Sequence, residues 1–131
     1  MPKPAPIDYA DASGAVKAVY DEIKQARNVA DVNNFWKYIA HDERTLRRTW
    51  DSLREVMAPG ELDPLVKELV YLAVSVTNNC VYCIASHSAA ATKAGMTPAQ
   101  FGELMAIVGM ANETNRLAAG YRIPVDPAFD K

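Results

Sequence analysis

Apolar residues recur along this chain at helical rather than alternating intervals. Val16, Val19, Tyr20 and Ile23 step by 3, 1 and 3, with Lys and Asp among them, which predicts a helix over about Asp11 to Arg27. VNNFWKYIAH predicts a short helix presenting Phe35, Trp36 and Ile39. DERTLRRTWDSLREVM spaces Leu46, Trp50, Leu53 and Met57 by 4, 3 and 4, a further amphipathic helix that the APG at 58–60 brings to an end. Asp63-Pro64 reads as an N-cap followed by proline at the first helical position. The helix it opens, PLVKELVYLAVSVT, is apolar on most of its circumference after Glu68 and is expected at the centre of the fold. Asn78-Asn79 interrupts it, and a new helix can begin near Cys80 and run to Lys93, with Gly95 ending it at C′. Thr97 and Gln100 form a capping box around Pro98. That helix carries Phe101, Leu104, Met105 and Val108, and another over about Ala111 to Ala119 precedes the tail. Met96, Met105 and Met110 read as gap-filling core residues. No segment combines a period of two with turn residues on both sides. The pattern predicts an all-α bundle of six or seven helices, one domain over 11–131 following an extended arm at 1–10.

With 131 residues, half of them apolar and 23% charged, the chain can bury a core without disulfides. A formal charge of −2 supplies no basic field for nucleic acid or an anionic membrane surface. The N-terminal MPKPAPIDYADA lacks the apolar stretch of a signal peptide, and no run approaches a membrane span; the longest is Leu69 to Val76. A cytoplasmic location is therefore expected. In that compartment a Cys-x-x-Cys serves catalysis or metal binding more often than a structural disulfide.

Both cysteines and one of the two histidines fall in TNNCVYCIASHSAAA. On a helix, Cys80, Cys83 and His87 share one face over two turns. A dithiol opening a helix can close into a disulfide, and the free N–H groups there stabilise a thiolate, most of all on a first-turn cysteine. His87, one turn beyond Cys83, is placed to take a proton from it or return one. Glu68 stands alone as a charge in an apolar run on the preceding helix. A carboxylate entering a core must be paired, protonated or near water, and if the Asn78-Asn79 break folds the two helices together, Glu68 reaches the same face. Three readings fit these residues. One is a redox dithiol with a proton relay. Another is zinc held by Cys80, Cys83, His87 and Glu68, against which stands the poor tetrahedral geometry of ligands stacked on one helix. The third is a non-catalytic helical oligomer whose cysteines sense oxidants or do nothing. His41, in IAHDERT, reads as a helix-end residue.

The spacing of Glu68, Cys80, Cys83 and His87, together with ELVYLAVSVTNNCVYCIASHSAAATKAGMT, resembles the signature of the AhpD-like alkylhydroperoxidases of the carboxymuconolactone decarboxylase superfamily. FWKYIAHDERTLRRTWDSLREVM and NETNRLAAGYRIP resemble the flanking segments of small members, so the likeness covers residues 30 to 124. It implies an all-helical fold assembled as trimers or hexamers, and a thiol peroxidase that needs no cofactor and no metal. Its substrate would be a hydroperoxide or another small electrophile, and an unidentified thiol reductant would restore the dithiol. By position, the resemblance makes Cys83 the attacking sulfur and Cys80 the resolving one, with Glu68 and His87 as proton relay. The decarboxylase branch lacks the dithiol, so lactone chemistry is not implied.

Overall fold

The computed structural model describes residues 3–130 and contains only helices and turns among them. Its residues gather into two compact units, one reaching to Ala58 and the other starting at Pro59.

The first unit holds α1 (Gly14–Arg27), α2 (Asn34–Ile39) and α3 (Glu43–Met57). The apolar positions that spaced these helices in the sequence are the ones they bury. Val19, Tyr20, Ile23, Trp36, Leu46 and Trp50 form its core, with the Trp36 and Trp50 rings edge to face at 5.6 Å. α1 starts at Gly14 rather than Asp11, because Tyr9–Asp11 forms a separate 3-10 turn. The arm before it is tied down rather than loose. Ile7 N donates to Lys37 O, Tyr20 Oη donates to Ile7 O at 2.7 Å, and Lys37 Nζ bridges Asp8 and Asp31. His41 sits between α2 and α3 as a helix-end residue, its Nε2 2.6 Å from Ala5 O. Residues 1 and 2 of the expected arm lie outside the described residues.

The second unit holds α4 (Pro64–Thr77), α5 (Val81–Lys93) and α6 (Pro98–Gly120). Asp63 caps α4 through the amide of Leu65, and the Thr97–Gln100 capping box forms in both directions. Its core is built on Leu72, Ala91 and Met96, with Leu65, Leu69, Val76, Ile84, Phe101 and Leu104 packed around it.

The link between α4 and α5 is the tightest in the unit. Asn79 adopts a left-handed φ of 55°, its N–H donates to Val76 O, and Cys80 N donates to Ser75 O at 3.0 Å. Those two bonds are a Schellman motif with Asn79 at C′ and Cys80 at C″. Asn tolerates the left-handed region because its short side chain bonds locally. Cys80 is also the N-cap of α5, so one residue ends one helix and starts the next. α5 closes with the same device, Gly95 at φ 107° with Gly95 N to Thr92 O and Met96 N to Ala91 O.

Three expectations need correction. The two helices anticipated at the C-terminal end are one, since α6 runs unbroken for 23 residues. The polar residues that suggested a new start bond backwards instead, Asn112 Nδ2 to Val108 O and Thr114 Oγ1 to Ala111 O. α4 is not enclosed on all sides, because only Leu72 and Ser75 are fully buried, while Val66, Val70 and Val74 are 41%, 54% and 54% exposed. Met110 is likewise exposed rather than in the core.

The left-handed turn yields a direct expectation. Asn79→Ala places a Cβ without a compensating side chain at positive φ and should lower stability by about 1 kcal/mol in urea melts, whereas Asn79→Gly should be tolerated. Equal midpoints for Ala and Gly would remove the turn as a constraint.

Candidate dithiol site

The hairpin of α4 and α5 builds the site. The chain reverses at Asn79, so residues before and after it meet side by side across the antiparallel helices. Cys80 sits at the turn itself and Cys83 in the first turn of α5, both as free thiols of intermediate exposure. Cys80 Sγ accepts the Cys83 N–H at 3.3 Å, taking the place that Ser, Thr or Asp usually fills at a helix start. The sulfur is thereby aimed at the positive end of α5.

This placement divides the two thiols electrically. A hydrogen bond from the Cys83 thiol, then one from the Cys83 backbone N–H, holds Cys80 below the ordinary thiol range. The same shared proton, burial and the charge on Cys80 push Cys83 up to about 11. The pair titrates as a unit, and its first proton leaves from Cys80. When the pair loses that proton, the charge rests on Cys80 and the Cys83 thiol donates its hydrogen to it.

Glu68 and His87 meet across the same hairpin, further from its turn than the thiols. His87 Nδ1 lies 2.8 Å from Glu68 Oε2, and the two side chains are only 16% and 18% exposed. With a carboxylate as acceptor, Nδ1 carries the hydrogen and Nε2 is left as the nitrogen that can take up or release another. Helical spacing puts His87 one turn beyond Cys83 on the same face.

A fifth residue is part of this site, and the sequence motif did not include it. Tyr71 stacks on His87 with ring centroids 3.7 Å apart and planes 20° from parallel. Burial, followed by the charges of Cys83, Cys80 and Glu68, raises its phenol above the ordinary tyrosine value, so it stays protonated at neutral pH. The signal was available in the numbering, because Tyr71 and His87 each stand eight residues from Asn79 and must face one another across the hairpin. Ser75 is buried between these positions and the turn, its hydroxyl satisfied by Tyr71 O at 2.8 Å.

The structure thus brings Cys80 to Cys83 and Glu68 to His87. A zinc reading requires at least three of these donors to converge, and no group of three His, Cys, Asp or Glu placed to hold a metal ion occurs among the described residues. None of their helices is long and apolar enough to cross a membrane.

The chain is similar to known proteins in sequence and in fold. The model of the carboxymuconolactone decarboxylase family matches residues 44–126. The crystal structure of an alkylhydroperoxidase AhpD core from Rhodospirillum rubrum is 50% identical in sequence, covers 89% of this chain and 87% of its own, and superposes with a TM-score of 0.85. A curated alkyl hydroperoxide reductase of Mycobacterium tuberculosis is 29% identical over 120 residues, or 88% of this chain. The chain spans only 34% of that relative's length.

The division of charge can be measured directly. Limited iodoacetamide at neutral pH should modify Cys80 before Cys83, as read by peptide mass mapping. The alkylation rate should follow an inflection below the ordinary thiol pKa, falling as pH drops through it and the thiolate is lost. In Cys83→Ala that inflection should move upward, because the side-chain donor to Cys80 is gone. Cys83 reacting first would reverse the assignment.

Proposed function

The chain is an AhpD-like member of the carboxymuconolactone decarboxylase family, and on that footing we propose that it is a thiol peroxidase reducing alkyl hydroperoxides. The carrying observation is the Glu68–His87 hydrogen bond on the same helical hairpin as two free, charge-divided thiols. An inert core would bury neither this carboxylate nor this imidazole without need. The known alkylhydroperoxidase and alkyl hydroperoxide reductase relatives support the same reading.

In this mechanism Cys83 attacks. His87 Nε2, oriented by Glu68, removes the Cys83 proton directly or through one water. The sulfur then attacks the distal oxygen of the peroxide and takes it up as hydroxyl while the O–O bond breaks, and the departing alkoxide takes the proton from His87 and leaves as the alcohol. Cys83 is now a sulfenic acid. Cys80 gives its proton to solvent and attacks that sulfur as a thiolate; hydroxide leaves, gains a proton from solvent and becomes water. Two thiols have become one disulfide, and the peroxide one alcohol and one water. An external thiol reductant, of a kind the cytoplasm supplies, returns the pair to its starting state.

The unequal thiols suit this order. Nucleophilicity rises with thiol pKa, so a Cys83 thiolate released at the moment of attack is the stronger nucleophile. Cys80, lowered from the ordinary thiol value, gives up its proton more readily than Cys83 and so needs less help from a base to close the disulfide.

Self-association belongs to the same proposal. Val66, Val70 and Val74 recur along one exposed stripe of α4, an apolar surface that an isolated chain leaves in water. A trimer or hexamer would cover it. Light scattering on the purified chain should give a mass above that of one copy, and Val70→Glu should shift it toward the monomer. A monomeric native protein would remove this part.

The peroxidase itself is tested by intact mass. One equivalent of cumene hydroperoxide should cost the reduced protein two hydrogens, and neither Cys80→Ser nor Cys83→Ser should show that loss. Dimedone should trap a sulfenic acid in Cys80→Ser but not in Cys83→Ser. Glu68→Gln should slow disulfide formation by about 10²-fold, the range of a removed general acid–base. No mass change in the native protein would sink the proposal, and dimedone labelling of Cys83→Ser alone would exchange the two roles.

A further inference from the structure

Glu68 and His87 share one hydrogen bond, and one hydrogen bond fixes a point, not a plane. An imidazole held only at Nδ1 can swing about that contact, carrying Nε2 with it. A proton acceptor must lie within about 3 Å of its donor to act, so the swing matters as much as the bond. Something has to fix the plane of the ring.

Tyr71 is the group in position to do so. It lies on α4 one turn from Glu68, so the same helix face supplies both the hydrogen-bond acceptor and the flat surface. Its ring covers His87 at 3.7 Å with a 20° interplanar angle, close to parallel, where rotation of the imidazole would drive one ring edge into the other. The Tyr71 backbone is itself pinned, since its carbonyl accepts the hydroxyl of buried Ser75. When His87 takes up a proton, the phenol face also stabilises the imidazolium as a cation over a π-system.

We infer that Tyr71 is a positioning residue of the dithiol site, its ring holding the His87 imidazole in the one plane that serves both Glu68 and the Cys83 proton. The inference rests on the peroxidase reading for its consequence, and on the stacked geometry for its substance. The hydroxyl is not what acts. It remains protonated at neutral pH beside the thiols and Glu68, and the stacking would be retained by any six-membered aromatic ring. A specific expectation follows, which a residue that merely fills space would not meet: an aromatic replacement should preserve function and an aliphatic one of similar bulk should not.

The experiment compares Tyr71→Phe, Tyr71→Leu and Tyr71→Met with the native chain. Circular dichroism establishes which variants fold, and two aliphatic replacements are used so that collapse of one leaves the other. Stopped-flow disulfide formation with cumene hydroperoxide should stay within about twofold for Phe and fall about tenfold for Leu or Met, the worth of one aromatic pair. The loss should appear in the maximal rate and not in the peroxide concentration at half-maximum. Independently, ¹³C and ¹⁵N relaxation spectra of the His87 ring should show a fixed ring orientation in the native and Phe proteins, and added ring motion in Leu or Met. This second readout needs no peroxide. A native protein that never forms the disulfide would end the peroxidase reading while the ring spectra still decide the role of Tyr71. Native-like spectra and rates in a folded aliphatic variant would overturn the inference. So would a Phe variant as slow as Leu, which would transfer the role to the hydroxyl.

Discussion

One backbone turn governs what the second unit can do. Because Asn79 takes the left-handed conformation, α4 ends in a Schellman motif whose final residue is Cys80, and that residue caps α5. There is no slack between the helices. A linker one residue longer would separate the end of α4 from the start of α5 and turn the face of α5 by about 100° relative to α4. Cys80 would lose its cap position, and His87 would turn away from both Glu68 and Tyr71. The thiol pair and the Glu68–His87 hydrogen bond, whose partners stand 19 residues apart in sequence, therefore depend on the same φ angle.

The helix start also explains why two chemically identical side chains behave differently. Cys80 lies outside the helix, where its sulfur accepts N–H bonds; Cys83 lies inside, where its thiol can donate to Cys80 and its surroundings are more apolar. Neither thiol has a cation beside it in the manner of a simple ion pair. The division is made by hydrogen bonds and by the pair's own charge. Glu68 and His87 then stand as a separate hydrogen-bonded pair, joined to the thiols by shared position on α4 and α5 and by Tyr71, which stacks on His87 and whose phenol is raised by the charges of both cysteines and Glu68.

Much of this was legible in the sequence because the governing signals are local. Proline after aspartate at 63–64, the Thr97–Gln100 box and Gly95 each satisfy backbone groups within a few residues, and the helices begin and end where those residues stand. Likewise, Glu68 could be brought toward His87 on paper once Asn78-Asn79 was taken as a reversal. Other features depend on information that no short window carries. Asn112 and Thr114 have the composition of a helix start, yet their side chains bond back to carbonyls in the same helix, so α6 continues. The valines of α4 look like core by composition, but burial is decided by what covers a helix, and the described residues leave that stripe about half exposed. Tyr71 reads as one more apolar residue in LVYLAV until the hairpin sets it opposite His87. A motif search by residue type passes over it, since its contribution is a surface and not a titrating group.

The cap on α5 bears on both halves of the proposed cycle. The N–H groups at the helix start favour a charged sulfur, and that charge exists only while the pair is reduced. Forming the disulfide consumes it and leaves those groups facing a neutral, weakly accepting sulfur. The stabilisation that lowers the Cys80 pKa is therefore withdrawn on oxidation, and to that extent it favours the dithiol over the disulfide. A peroxide, whose O–O bond makes its reduction strongly downhill, can drive the oxidation against this preference. An ordinary cellular thiol can then reverse it. A deeper burial of both sulfurs would protect the disulfide but remove the thiolate, and two equally exposed thiols would lose the charge division; a cysteine at the N-cap with its partner one turn inside avoids both.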